Sequence, residues 1–246
     1  MPNFRIISGD SHVLEPGHLW SKPLGGRYGD AVPRMVEEHN GEKSSFFFTG
    51  HEFCRIDELV EGDEALQRKL LVAGSDPASR LVCLDEDGVS GEILNATWML
   101  YTMRARDDAL VQDCCSVFND WLAEYCAAYP DRLKGVGMIP CRGAIEWAIE
   151  ETERCAKLGL VSVMLPAWVD DRPYNLPDWD PLWAALQDMN LVVSIHIGGR
   201  DPFGRAHGPG AGGIIIGIVK FEMNDTLQHI IWGGAPVRFP KLQMAF

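Results

Sequence analysis

"FRIISGDSHVLEP" (Phe4–Pro16) sets a short apolar run directly against an aspartate and a histidine separated by one residue. How this stretch is read decides the fold. If "FRIIS" is a strand, its period of two puts Asp10 and His12 on one face, about 7 Å apart along the chain. Both side chains can then reach a point beyond the strand's end. If the triplet is instead a polar turn, Asp10 is only a cap. A D-x-H triplet is common, so the rest of the chain has to choose.

From Gly88 onward one theme repeats: an apolar run, a polar or Gly/Pro junction, then an amphipathic stretch. "VSGEILNAT" (Val89–Thr97), "LKGVGMIP" (Leu133–Pro140), "LVSVMLP" (Leu160–Pro166) and "LVVSIHI" (Leu191–Ile197) read as strands. Between them, the spacing of Leu110, Val111, Cys114, Phe118, Trp121, Leu122 and Tyr125 predicts a helix over 108–128. Ile145, Ala148, Ile149, Thr152 and Cys155 predict another over 144–158, with Gly159 placed to end it. Asp180-Pro181 reads as an N-cap and first residue of a helix to about Asn190, and another helix runs from about Gly213 to Ile231. "PKLQMAF" at the end reads as a sixth strand just begun.

Nearly continuous β-branched strands alternating with helices argue for a parallel sheet covered on both faces. No GxGxxG follows the first strand and no Walker A sequence occurs, so a nucleotide-binding doubly wound sheet has no support. A TIM (β/α)8-type barrel fits better. Polar groups cluster just after strand C-termini: Asp10 and His12, Asn95 to Trp98, Trp168, and His196. In a (β/α) barrel those ends form one rim where active sites are built. The stretch from Val13 to Ser75, rich in Gly, Pro and charge, reads as an insertion after the first strand that lies over the rim. Its "SSFFFTG" patch (Ser44–Gly50) reads as a short hairpin.

Composition narrows the partners. The chain has 246 residues, 46% of them apolar, which suits a folded core and argues against disorder. A net charge of −13 repels nucleic acid and anionic membranes. The first ten residues have no basic or long apolar segment of a secretory signal, and "GGIIIGIVKF" (Gly212–Phe221) is too short and interrupted to span a bilayer. Seven cysteines without CxxC spacing, two of them adjacent, suit buried thiols in a reducing cytoplasm.

The rim residues suggest chemistry. Asp10, His12 and His196 offer two imidazoles and a carboxylate, a donor set for one divalent cation with positions left for water and substrate. Against this stand a capping aspartate and a core histidine between two isoleucines. Arg200, Arg205 and His207, in "GGRDPFGRAHGPG" (Gly198–Gly210), form a local cationic cluster able to clamp a substrate carboxylate, or else a solvated loop. Trp98 and Trp168 either wall an aromatic substrate or pack under the insertion. His18, His39, His51 and His229 lack supporting neighbours and read as structural.

Five blocks carry a family resemblance. "ISGDSHVLEPGHLW" (Ile7–Trp20), "DPASRLVCLDEDGVSGEIL" (Asp76–Leu94), "FNDWLAEYCAAYPDRLKGVGMIP" (Phe118–Pro140), "RPYNLPDWDPLWAALQDMNLVVSIHIGG" (Arg172–Gly199) and "IIWGGAPVRFPKLQMAF" (Ile230–Phe246) resemble, in order, the amidohydrolase-related family that includes aminocarboxymuconate-semialdehyde decarboxylase. The resemblance implies a single metal-dependent TIM barrel. It carries the family's first-strand ligand pair onto Asp10 and His12, and its fifth-strand histidine onto His196. The family's aspartate after the eighth strand and its acid/base residue after the sixth have no counterpart up to Phe246, so the resemblance implies a barrel cut short in the sixth strand. With no lysine in "LVSVMLP" to bridge two ions, a mononuclear site is implied, zinc first and manganese second. The activity implied is that of a carboxy-lyase on a small carboxylated or aromatic substrate. A hydrolase using ion-activated water and a non-catalytic barrel remnant are the alternatives. A chain cut short in this way is expected to be nearly inactive alone, and either poorly soluble or a homo-oligomer joined through its open edge.

Overall fold

A computed structural model describes residues 5–56, 64–169, 172–198 and 209–246. The chain forms two compact units, Met1–Gly137 and Met138–Phe246. In the first, the elements run β1 (Ile6–His12), α1 (Ser21–Tyr28), β2 (Arg34–His39), β3 (Glu42–Phe48), β4 (Phe53–Arg55), α2 (Glu64–Ser75), α3 (Pro77–Asp87), β5 (Val89–Asn95), α4 (Trp98–Thr102), α5 (Asp108–Ala127) and β6 (Leu133–Met138). β1 pairs with β5 and β5 with β6, both parallel, as the apolar runs predict.

The segment after β1 is more ordered than a single hairpin. β2, β3 and β4 form a three-stranded antiparallel meander, with Phe46, Phe47 and Phe48 in its central strand. This segment is anchored by aromatic packing. Trp20 is fully buried, meets Phe47 edge-on at 6.0 Å, and donates its indole N–H to the Cys114 carbonyl of α5 at 3.0 Å. Phe47 in turn stacks on Trp98 at 5.5 Å. The apolar stripe expected on α5 is found there: Leu110, Val111, Cys114, Phe118, Leu122 and Tyr125 are buried.

α3 was not expected, because its charged sequence hides the apolar period. Its ends are nonetheless well specified. Asp76 accepts a hydrogen bond from the Ser79 N–H at 2.7 Å, Pro77 takes the first turn, and Gly88 closes the helix at φ +70°. The left-handed conformation costs glycine nothing, which is why the chain can turn there directly into β5.

The second unit runs α6 (Ile145–Lys157), β7 (Ser162–Pro166), α7 (Asp180–Asp188), β8 (Val192–His196), α8 (Ala211–Trp232), α9 (Ala235–Arg238) and β9 (Met244–Ala245). β7, β8 and β9 are parallel neighbours. A buried aromatic cluster of Tyr174, Trp179 and Trp183 packs at centroid distances of 4.7 to 5.9 Å, and the Tyr174 hydroxyl donates to the Pro166 carbonyl at the end of β7. One boundary differs from expectation: Trp179, not Asp180, precedes the first helical residue of α7, because a short 3₁₀ turn over Pro177–Trp179 already winds the chain. Among the described residues, no helix is long and apolar enough to cross a membrane.

Candidate metal centre

β1 does not run regularly to its end. Ser8 pairs with Glu92 and Ser11 with Leu94, so two residues of β1, Gly9 and Asp10, stand opposite one of β5. This is a β-bulge, a device that re-aims a side chain at the end of a strand. Asp10 is largely exposed at this end, while His12 is about two-thirds covered. Asp10 Oδ1 and His12 Nε2 lie 3.8 Å apart. Two donor atoms each about 2.0–2.2 Å from one ion can be separated by that distance.

The neighbouring strand holds both side chains. The Asn95 amide donates to Asp10 Oδ1 at 3.0 Å. His12 Nδ1 lies 2.6 Å from the Ala96 carbonyl oxygen. A carbonyl can only accept, so Nδ1 must carry the proton, and in the neutral ring the lone pair belongs to Nε2, the atom facing Asp10. A backbone carbonyl in this role fixes the tautomer of many metal-binding histidines.

In the second unit, His196 is the last residue of β8 and is half-buried. Its Nδ1 lies 3.0 Å from the Ile197 carbonyl oxygen, so its lone pair is likewise on Nε2. The chemistry of these residues fits a divalent cation: two histidines committed to the ligand tautomer and one carboxylate oriented by an amide donor.

The other candidates separate. Trp98 is 5% exposed, and its ring packs on Phe47 and Tyr101. Trp168 is half-buried and meets His229 edge-on at 5.8 Å. His229, read from sequence as structural, donates its Nδ1–H to the Asn175 side-chain Oδ1 at 2.8 Å, and Asp225 lies 3.9 Å from its Nε2. Arg200, Arg205 and His207 lie outside the described residues.

Glu15 was missed. Its side chain is buried, and its carboxylate accepts from the backbone N–H groups of Thr97, Trp98 and Met99 at 2.9 to 3.3 Å. It thereby caps the start of α4 and ties the loop after β1 to the loop after β5. Burial pushes its pKa up to about 7, against the pull of those N–H donors. "HVLEP" carries no mark of this, since the partners lie more than eighty residues away.

Comparison with known proteins places these features in context. A family model described as Amidohydrolase matches residues 73–246. The gamma-resorcylate decarboxylase of Rhodococcus jostii (strain RHA1) is 30% identical over 128 residues, covering 48% of this chain and 38% of that enzyme. The aligned stretch thus spans well under half of the curated relative's length. An amidohydrolase from Mycobacterium avium subsp. paratuberculosis K-10 superposes with a TM-score of 0.78 at 16% identity, over 99% of this chain and 72% of that one. The 5-carboxyvanillate decarboxylase of Novosphingobium aromaticivorans DSM 12444, solved with manganese and 4-hydroxy-3-methoxy-5-nitrobenzoic acid, gives 0.67 at 20% identity over 99% of this chain and 65% of its own. At these identities the structural likeness establishes the fold alone, a barrel type as the strand-end reading predicts.

Proposed function

Because the chain belongs to the amidohydrolase family, we propose that it is a metal-dependent carboxy-lyase acting on a small aromatic carboxylate. One observation carries the metal: the Asp10–His12 pair, with its donor atoms 3.8 Å apart and the His12 tautomer set by the Ala96 carbonyl. The decarboxylases among the relatives and structural neighbours support the reaction.

In this reading Asp10, His12 and His196 hold one divalent cation. When bound, it supplies positive charge that orients the substrate's oxygens and draws electron density from the ring. Asn95 and the Ala96 carbonyl keep the first two ligands aimed. Arg200, Arg205 and His207 take the substrate carboxylate, since a planar guanidinium matches it in two-point fashion. Trp168 flanks the aromatic ring, while Trp98, 5% exposed and stacked on the fully buried Phe47, packs under the segment after β1 instead. The reaction breaks the bond between ring carbon and carboxyl carbon, releases CO₂ and places a proton on the ring carbon. A mixed nitrogen and oxygen donor set suits zinc and manganese alike. The manganese of the Novosphingobium enzyme supports manganese, the second of the two metals expected. All seven cysteines are thiols, five of them buried, which supports a place in the reducing cytoplasm.

The test is direct. The metal-free protein is titrated with Mn²⁺ and with Zn²⁺, and CO₂ release is measured from gamma-resorcylate and 5-carboxyvanillate. One ion bound per chain, lost in His12→Ala, with CO₂ released from at least one aromatic acid, is the expected result. No stoichiometric binding of either metal overturns the reading. A bound ion with hydrolysis of an ester or amide but no CO₂ overturns the carboxy-lyase and leaves the metal.

A further inference from the structure

Beneath the end of β1 lies a buried ion pair that nothing above uses. Arg80 of α3 and Glu92 of β5 are 9% and 8% exposed, and the Arg80 Nε–H donates to Glu92 Oε2. Both groups make further hydrogen bonds, and these go to β1. Glu92 Oε1 accepts from the Ser11 hydroxyl at 2.9 Å, and Ser11 shares a second hydrogen bond of 2.7 Å with Ser8. Arg80 Nη1 donates to the backbone carbonyl of His12 at 2.8 Å. The pair therefore grips β1 at Ser11 and His12, next to both candidate ligands.

The place of this grip is informative. The β1–β5 ladder slips between Ser8 and Ser11, so regular pairing does not fix the backbone of Gly9 and Asp10. Register there has to be set by something else. Two serine hydroxyls and one guanidinium, all referred to the Glu92 carboxylate, do this through side chains. A buried ion pair is a poor source of stability, because apolar residues of similar volume serve as well once the cost of desolvation is counted. What such a pair offers is one defined geometry.

We propose that Arg80 and Glu92 are positioning residues for the metal centre, holding the bulged end of β1 so that Asp10 and His12 present their donor atoms together. The proposal rests on the reading of those two residues as ligands. Hydrogen-bonding partners one step behind metal ligands commonly change metal affinity by about 10–100-fold when removed.

The test uses the full 246-residue chain. Removing one partner alone strands a buried charge and unfolds protein for an unrelated reason, so the informative variant is the double substitution Arg80→Met with Glu92→Leu. Mn²⁺ affinity is measured by electron paramagnetic resonance, the Co²⁺ absorption spectrum reports the ligand geometry, and urea unfolding of the metal-free protein reports stability. The expected result is a Mn²⁺ Kd raised at least about 10-fold with an altered Co²⁺ spectrum, while the metal-free urea midpoint stays close to that of the unaltered chain. Arg80→Lys, which keeps the charge but not the two-way reach, should fall between. Unchanged Mn²⁺ affinity and Co²⁺ spectrum in the folded double variant overturn the proposal while His12→Ala still loses the ion. A loss of affinity matched by a loss of metal-free stability also overturns it, because the role is then structural. If His12→Ala binds Mn²⁺ like the unaltered chain, the ligand reading fails and this proposal with it.

Discussion

Glu15→Gln is expected to change the pH dependence of stability in a defined direction. The Glu15 carboxyl is buried and its pKa is pushed from 4.5 to about 7. Between those values the unfolded chain has released the proton while the folded chain still holds it, so the folded state is the one that binds more protons. Stability linked to Glu15 is therefore complete below pH 4.5 and is lost as pH rises through about 7. The size of the effect is about 3 kcal/mol, from about 1.4 kcal/mol for each tenfold change in proton affinity. Glutamine keeps an oxygen acceptor for the N–H groups of Thr97, Trp98 and Met99 but does not titrate. Near pH 4.5 the two proteins should unfold at similar urea concentrations. By pH 8 the glutamine variant should have gained about 3 kcal/mol relative to the glutamate chain. Urea unfolding in EDTA, followed by tryptophan fluorescence at five or six pH values, measures this difference, and other titrating groups cancel between the two proteins. A difference that stays flat, or moves toward the glutamate chain as pH rises, refutes the reasoning. It would mean that the backbone N–H groups outweigh burial and hold Glu15 ionised throughout.

Other outcomes follow from the same geometry. Asn95→Ala should raise the Mn²⁺ Kd by about 10-fold, because Asp10 Oδ1 loses its amide donor, and a titration by electron paramagnetic resonance checks it. His196→Ala should lower bound metal, measured by atomic emission, far more than His229→Ala does. Phe47→Ala should cost about 3–5 kcal/mol in urea unfolding, since the ring is fully buried between Trp20 and Trp98. Gly74→Ala should cost about 1–3 kcal/mol by the same assay, because an added Cβ would sit 2.6 Å from that of Leu14.

The β-branched runs and the spacing of the helical stripes made the parallel strands and long helices legible from sequence. Val89–Asn95 and Val192–His196 lie where the apolar residues put them. The polar clusters at strand ends pointed to the rim for the same reason: a strand's last residues are the first that need not face a core. What stayed hidden depends on distance along the chain. Glu15 finds its partners at Thr97–Met99, and Ser11 finds Glu92, through contacts of more than eighty residues in separation. No local pattern records such pairs. The bulge at Gly9 and Asp10 was hidden by the assumption of a strict period of two, which a single extra residue breaks. α3 was hidden by charge, though Asp76, Pro77 and Gly88 marked both its ends.

The hydrogen bond from His12 Nδ1 to the Ala96 carbonyl has an effect on acid sensitivity. With one ring nitrogen committed to a carbonyl, an arriving proton has only Nε2 to occupy, and that is the lone pair an ion would use. His196 is held in the same tautomer by the Ile197 carbonyl. Acid and metal are thus rivals for the same two nitrogens. An ion held through both lone pairs would need each of them free of a proton.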